Sequence, residues 1–188
     1  INPLVVSGLA YGIYIYSHHA AMNNGLKTWA ILGHGFDIIY PALHRAASEK
    51  IIETGGALIS EYPSQSKRDP KHFVSRNRII AGLSDATVIV ESARKGGAMI
   101  TADIAVSYNR DVFSFPGRLN DNKSKGCNHL IKTNRAALIE SVDDIIYSMN
   151  WDTAEKSKKA EQKSISFNIE LNNTEKEIVE ILTKKDYS

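Results

Sequence analysis

The sequence predicts an α/β domain built on a mostly parallel sheet with helices on both faces. Three observations predict it. Short apolar, β-rich runs recur along the chain, glycine-containing turns follow them, and segments of helical period separate them. Such alternation specifies βαβ units, and right-handed crossovers place the strand-to-helix loops on one edge of the sheet. In open sheets of this kind ligands bind at the carboxyl ends of the strands.

The elements follow in order. Leu4–Ser7 reads as a strand that turns through Gly8-Leu9-Ala10-Tyr11-Gly12 into a helix ending near Asn24. Thr28–Leu32 leads through Gly33-His34-Gly35 and Tyr40-Pro41 to a helix over Ala42–Thr54. Ala57–Glu61 is followed by the polar stretch Pro63–Lys71 and a helix near Arg76–Leu83. Thr87–Val90 leads through Ser92–Gly97 to a helix near Ile100–Asn109, and a fifth run, Val112–Phe115, stops at Pro116-Gly117. A last helix spans Val142–Met149, with Asp143 and Asp144 beside Ile145 and Ile146; it reads as core packing or as a partner surface.

These elements place one domain over 1–149. Residues 150–168 carry Lys156, Lys158, Lys159, Glu161 and Lys163 without apolar period and read as a charged linker. At 169–188, Thr174-Glu175-Lys176-Glu177 forms a capping box ahead of Ile178, Ile181 and Leu182, the start of a second unit. The chain opens at Ile1, almost inside the apolar run Leu4-Val5-Val6, so the expectation is a fragment or a chain whose preceding segment was removed.

Composition excludes some classes. With 43% apolar and 23% charged residues the chain holds an ordinary core and is not globally disordered. A net charge of +2 leaves any nucleic-acid reading to local clustering. The single cysteine, Cys127, excludes an internal disulfide and fits a reducing compartment. No apolar run reaches the ~20 residues of a membrane span, and there is no leader pattern, so the expected location is the cytoplasm.

The strand-end loops suit anions. In Lys95-Gly96-Gly97-Ala98-Met99-Ile100-Thr101, two glycines turn the chain into a helix whose free N–H groups and dipole favour a negative ligand. A plain tight turn capped by Thr101 reads equally well. Ser7-Gly8-Leu9-Ala10-Tyr11-Gly12 also ends a strand, and it is neither GxGxxG nor a Walker loop. Gly33-His34-Gly35 has Ile38 where a dinucleotide loop needs its third glycine. His34 reads as a packing or hydrogen-bonding residue.

A third feature is Lys71-His72-Phe73-Val74-Ser75-Arg76-Asn77-Arg78, with two planar guanidinium forks at the front of a helix, suited to phosphate. A solvated basic turn is the alternative. No catalytic residue, cofactor or metal site is expected. The histidines lack ligand spacing, Cys127 reads as a small buried residue, and Glu61 and Glu91 read as acceptors that hold loops.

Together these segments resemble the DprA (Smf) family, the DNA-processing proteins of natural transformation. The matching text runs from Ser7-Gly8-Leu9-Ala10-Tyr11-Gly12-Ile13 through Ala30–Gly35 with Tyr40-Pro41, and Ser60-Glu61-Tyr62-Pro63. It continues with Phe73, the highly specific Arg76–Ser84 block, Gly97 with Thr101-Ala102, Phe115-Pro116-Gly117 and Gly126-Cys127-Asn128. The resemblance implies an extended Rossmann-like fold, single-stranded DNA as ligand, RecA recombinase as partner, homodimers, and no enzymatic activity. It favours Arg76, Asn77, Arg78, Gly97 and Thr101 as phosphate contacts. Gly96, Ser7, Gly8, Gly33 and Gly35 are further candidates from the same loops. Lys71, Lys95 and Arg118 join them on charge and position alone.

The chain departs from the family pattern at Tyr14, where an aspartate is usual, and at Gly96 and Ala98, where hydroxyl residues are common. The family's earlier Gly-Ser-Arg strand is absent, and the helix at Thr174–Lys184 resembles the opening of its winged-helix-like C-terminal domain. A rival reading is a nucleotide phosphoribohydrolase of the lysine-decarboxylase-like (LOG) family. Those enzymes place a glutamate pair after the loop threonine, whereas here Thr101 precedes Ala102-Asp103-Ile104.

Overall fold

The β-rich runs become strands wherever apolar residues can be covered from two sides. The computed structural model of the chain describes residues 1–151. Strands β1 (Val5–Gly8), β2 (Thr28–Ile31) and β3 (Ala57–Ile59) form one parallel sheet. Strands β4 (Ala86–Ile89), β5 (Asp111–Ser114) and β6 (Ala137–Leu138) form another, in the order β4-β5-β6. The predicted parallel sheet is thus present as two three-stranded halves. Among the described residues β1 pairs only with β2, and β4 only with β5.

Helix α1 (Ile13–Asn23) follows β1, and α2 (Arg45–Glu53) follows β2 after a single 3-10 turn, Ala42–His44. Helices α3 (Pro70–Ser75) and α4 (Asn77–Leu83) join the two sheets. Helix α5 (Gly97–Ser107) follows β4, α6 (Lys125–Lys132) follows β5, and α7 (Val142–Ser148) closes the unit. Gly12 caps α1 at φ 77°, a left-handed turn that favours glycine. A capping box between Ser141 and Asp144 starts α7.

The direction of α4 sets the geometry of the edge. It begins at the carboxyl ends of β1 and β2, where Arg76 meets Gly8 and the Ile31 carbonyl. It ends near the amino end of β5, where Arg110 donates to Gly82 O at 3.1 Å. Strands of both sheets therefore run against α4 and share one carboxyl edge.

Two apolar clusters hold the unit together. One gathers Leu9, Ile15, Met22, Ala30, Leu32, Ala47 and Ile51 around β1, β2, α1 and α2. The other gathers Ile89, Met99, Ala102, Ala105, Val112, Cys127 and Leu130 around the second sheet. Successive strand residues point to opposite faces. Ala30 and Ile31 are both buried, as are Val112 and Phe113, so both sheets are covered on two sides.

The helix expected from Ile100 starts three residues earlier, at Gly97. The polar stretch before Arg76 contains α3, capped by Asp69, whose carboxylate accepts from Lys71 N at 2.8 Å. The expected linker over 150–168, apart from Asn150 and Trp151, and the expected second unit at 169–188 lie outside the described residues.

Candidate functional site

The shared carboxyl edge is built from its glycines upward. Gly8, Gly33 and Gly35, candidate phosphate contacts, each receive another part of the protein. A side chain on Gly8 would strike the Arg76 guanidinium. On Gly33 it would meet Phe73, whose backbone is 3.2 Å away, and on Gly35 it would fall on the carbonyls of Pro63 and Ser64. These glycines let the loops after β1, β2 and β3 pack on one another, and Gly35 N–H donates to Ser66 O at 3.1 Å. Ser7, beside Gly8, is also buried.

Arg76 lies beneath this edge and is 2% exposed. Its Nε donates to Asn77 Oδ1 at 3.1 Å and its Nη1 donates to Ile31 O. Ring faces of Tyr14 and Phe73 lie 5.5 and 5.8 Å from the guanidinium carbon. Burial pushes the Arg76 pKa down, yet an arginine stays charged across the range in which proteins fold. The expected open fork is therefore a cation held under the surface, and Asn77 serves it instead of facing outward.

Next to Arg76, His18 is fully buried. Thr28 Oγ1 gives its one proton to Val5 O at 2.8 Å, so His18 Nδ1 must be the donor in the 2.7 Å contact with Thr28. Burial first, then the charges nearby including Arg76, lower the His18 pKa to about 4, partly offset by a backbone hydrogen bond at Gly8. His34 is fully buried and ties its loop together: Nδ1 faces Gly35 O at 2.8 Å and Nε2 accepts from Tyr40 N at 3.3 Å.

In the second sheet, Gly96 and Gly97 open α5. The N–H groups of Met99 and Ile100 turn back on Gly96 O at 3.1 and 3.4 Å. Those of Gly97 and Ala98 have no partner among the described residues, so they and the helix dipole present positive charge at the edge. Space beside Gly97 is open. Thr101, expected as an outward donor, is 4% exposed and returns its hydroxyl to Gly97 O at 3.2 Å.

Around these groups stand exposed cations. Lys71, Lys95 and Arg118 are all exposed, and no salt bridge among the described residues includes them. Arg78 is exposed and paired with Glu61, and Lys123 lies 3.5 Å from Glu91, so both glutamates hold cations as expected of loop acceptors. One positioning residue escaped the sequence reading. Asn128 clamps Gly117 through both backbone groups, at 3.0 and 2.9 Å, and so fixes the loop that carries Arg118. Its only signal was its place in the Gly126-Cys127-Asn128 motif.

Cys127 is buried, and no group of His, Cys, Asp or Glu suited to a metal ion exists among the described residues. What remains is an edge of positive charge and free amides. The sequence profile of the family DNA recombination-mediator protein A matches residues 1–150. The chain belongs to this family.

Relatives agree across the same region. Protein Smf of Synechocystis is 43% identical over 77% of this chain and 36% of its own length. DNA processing protein DprA of Streptococcus pneumoniae is 39% identical over 76% of the chain and 50% of its own length. The chain thus spans between a third and a half of these two relatives. The X-ray structure of the Streptococcus pneumoniae protein superposes with a TM-score of 0.70 at 38% identity, over 77% of this chain and 50% of that one. DNA processing protein A of Helicobacter pylori, whose structure concerns its single-stranded DNA binding mode, superposes at 0.67 and 30% identity, over 79% of this chain and 66% of that one. The α/β fold of this DprA-family chain is therefore the family's fold. No helix among the described residues is long and apolar enough to cross a membrane.

Proposed function

We propose that this DprA-family chain holds single-stranded DNA by its phosphate backbone along the shared carboxyl edge, without chemical turnover. One observation carries the reading: a buried arginine, free first-turn amides and unpaired exposed cations converge on one edge with no carboxylate pair among them. Arg76 supplies charge from beneath. Gly97 and Ala98 supply directional donors, and Lys71, Lys95 and Arg118 supply contacts that a flexible strand can reach. Contacts of this sort read phosphate and ignore base identity, which makes the binding independent of sequence.

The same family assignment supports a role in processing incoming DNA during transformation and recombination, with loading of RecA recombinase onto the bound strand. It also supports a homodimer acting in the cytoplasm.

The test is a fluorescence anisotropy titration of labelled oligo-dT at several salt concentrations, with duplex of equal length as control. The reading expects preference for the single strand and a log–log salt slope of about −0.7 per neutralised phosphate. The triple variant Lys71→Ala/Lys95→Ala/Arg118→Ala changes only exposed side chains, so its folding should persist while the slope shrinks by up to about 2. An unchanged slope would place the DNA elsewhere. No binding at low salt, with release of base from nucleoside monophosphates, would instead favour the phosphoribohydrolase reading.

A further inference from the structure

Among the described residues, the arginine beneath the edge has no counter-charge. Its two bonded acceptors, the Asn77 amide oxygen and the Ile31 carbonyl, are both neutral. No salt bridge among the described residues includes it, and Glu61 is paired with Arg78. The groups that flank the guanidinium are the rings of Tyr14 and Phe73. An aromatic face attracts a cation and orients it, but carries no net negative charge. A cation removed from water in neutral company raises the energy of the folded state, and an anion brought near it relieves that cost.

Tyr14 occupies the place where a carboxylate would be easiest to accommodate. It stands in the first turn of α1, where the helix dipole favours Asp or Glu, and that turn contains no acid. An acid here would satisfy Arg76 from inside and cancel its field at the edge.

We propose that Tyr14 is a positioning residue that keeps Arg76 uncompensated, so that the incoming phosphate is the counter-charge Arg76 lacks. Phosphate binding and fold stability are then one coupled quantity: the free protein is the less stable form, and the anion stabilises it through Arg76. The inference rests on the reading of this edge as a phosphate site, and it adds why that site is strong and which residue tunes it.

The test uses the full 188-residue chain with three proteins, wild type, Tyr14→Asp and Tyr14→Phe. Thermal midpoints are followed with rising inorganic phosphate against chloride of equal ionic strength, and oligo-dT affinity is measured by anisotropy. Tyr14→Asp should melt several degrees higher than wild type without phosphate and should gain less from phosphate than wild type does. It should also bind oligo-dT about tenfold more weakly. Tyr14→Phe should track wild type in both measurements.

The general salting effect of phosphate acts on all three proteins alike, so the difference between them reports the site. An acidic variant that fails to fold, or melts lower, refutes the proposal, because pairing with an uncompensated Arg76 is expected to outweigh desolvation of the carboxylate and loss of the ring. Tyr14→Asp binding oligo-dT as tightly as wild type refutes it too, and so does loss of the phosphate response in Tyr14→Phe. If wild type binds oligo-dT but phosphate stabilises it no more than Tyr14→Asp, the inference falls while the DNA reading stands. If phosphate stabilises only the proteins without the acid and no DNA binds, the DNA reading falls while the inference stands.

Discussion

Acid should loosen this protein through His18. The imidazole is fully buried, and Nδ1–H is committed to Thr28, whose own proton goes to Val5 O. Protonation of the other ring nitrogen, Nε2, would put a second cation in the interior within reach of the Arg76 charge, and the Gly8 carbonyl offsets that only in part. The folded pKa is about 4, against 6.5 for an exposed histidine. The unfolded chain therefore holds more protons than the folded one between those values, and unfolding free energy rises with pH across that window. Stability is fully present above the unfolded pKa and is lost as pH falls toward the folded one. A shift of this size corresponds to a loss of about 3 kcal/mol, a large part of the margin of a typical domain.

Urea unfolding of wild type and His18→Gln at about pH 7 and at about pH 4 measures it. Carboxylates also titrate in this range, but they do so in both proteins, so the difference in their pH dependence isolates His18. Wild type should lose about 3 kcal/mol more than His18→Gln over the window. His44, whose pKa burial also lowers, remains in both proteins and cancels. Parallel loss in the two proteins would mean that His18 is not held neutral, and the hydrogen-bond assignment through Thr28 would fall with it.

Three further outcomes follow from the edge. Gly8→Ala drives a methyl group into the Arg76 guanidinium and should lower stability by about 1–3 kcal/mol in urea unfolding, with oligo-dT affinity falling as Arg76 is displaced. Gly97→Ala meets no atom within 4 Å, so folding should change by no more than about 0.5 kcal/mol; if phosphate approaches the start of α5, oligo-dT binding should nonetheless weaken. The Cys127 thiol is buried, and a thiol reagent should label it only as fast as the domain opens, with the rate rising in urea.

Five of the six strands among the described residues were legible because their apolar, β-rich runs stand out between turn signals. The sixth, Ala137–Leu138, is two exposed residues long and leaves no pattern to find. Helix α3 buries none of its residues and so shows no period, and only Asp69-Pro70, a cap followed by a first-turn proline, marks its start. The glycines were harder. Gly8, Gly33 and Gly35 admit Arg76, Phe73 and Pro63–Ser64 from distant parts of the chain, and a glycine's neighbours in sequence do not reveal what comes close to it in space.

The arginines were a different case, because the helix itself separates them. Residues two apart on a helix do not share a face, so Arg76 and Arg78 leave it on different sides. The buried stripe Arg76, Asn77, Ile80 and Ala81 shows which one turned inward, and Arg78 on the outer side found Glu61 instead. An arginine in line with the apolar residues of a short helix is bound to be buried, and its charge must then be met by something. Among the described residues no carboxylate stands against Arg76, and the rings of Tyr14 and Phe73 lie close to it. The case for an anion at the carboxyl edge therefore rests less on how many cations the loops display than on Arg76, buried among the described residues with only neutral acceptors.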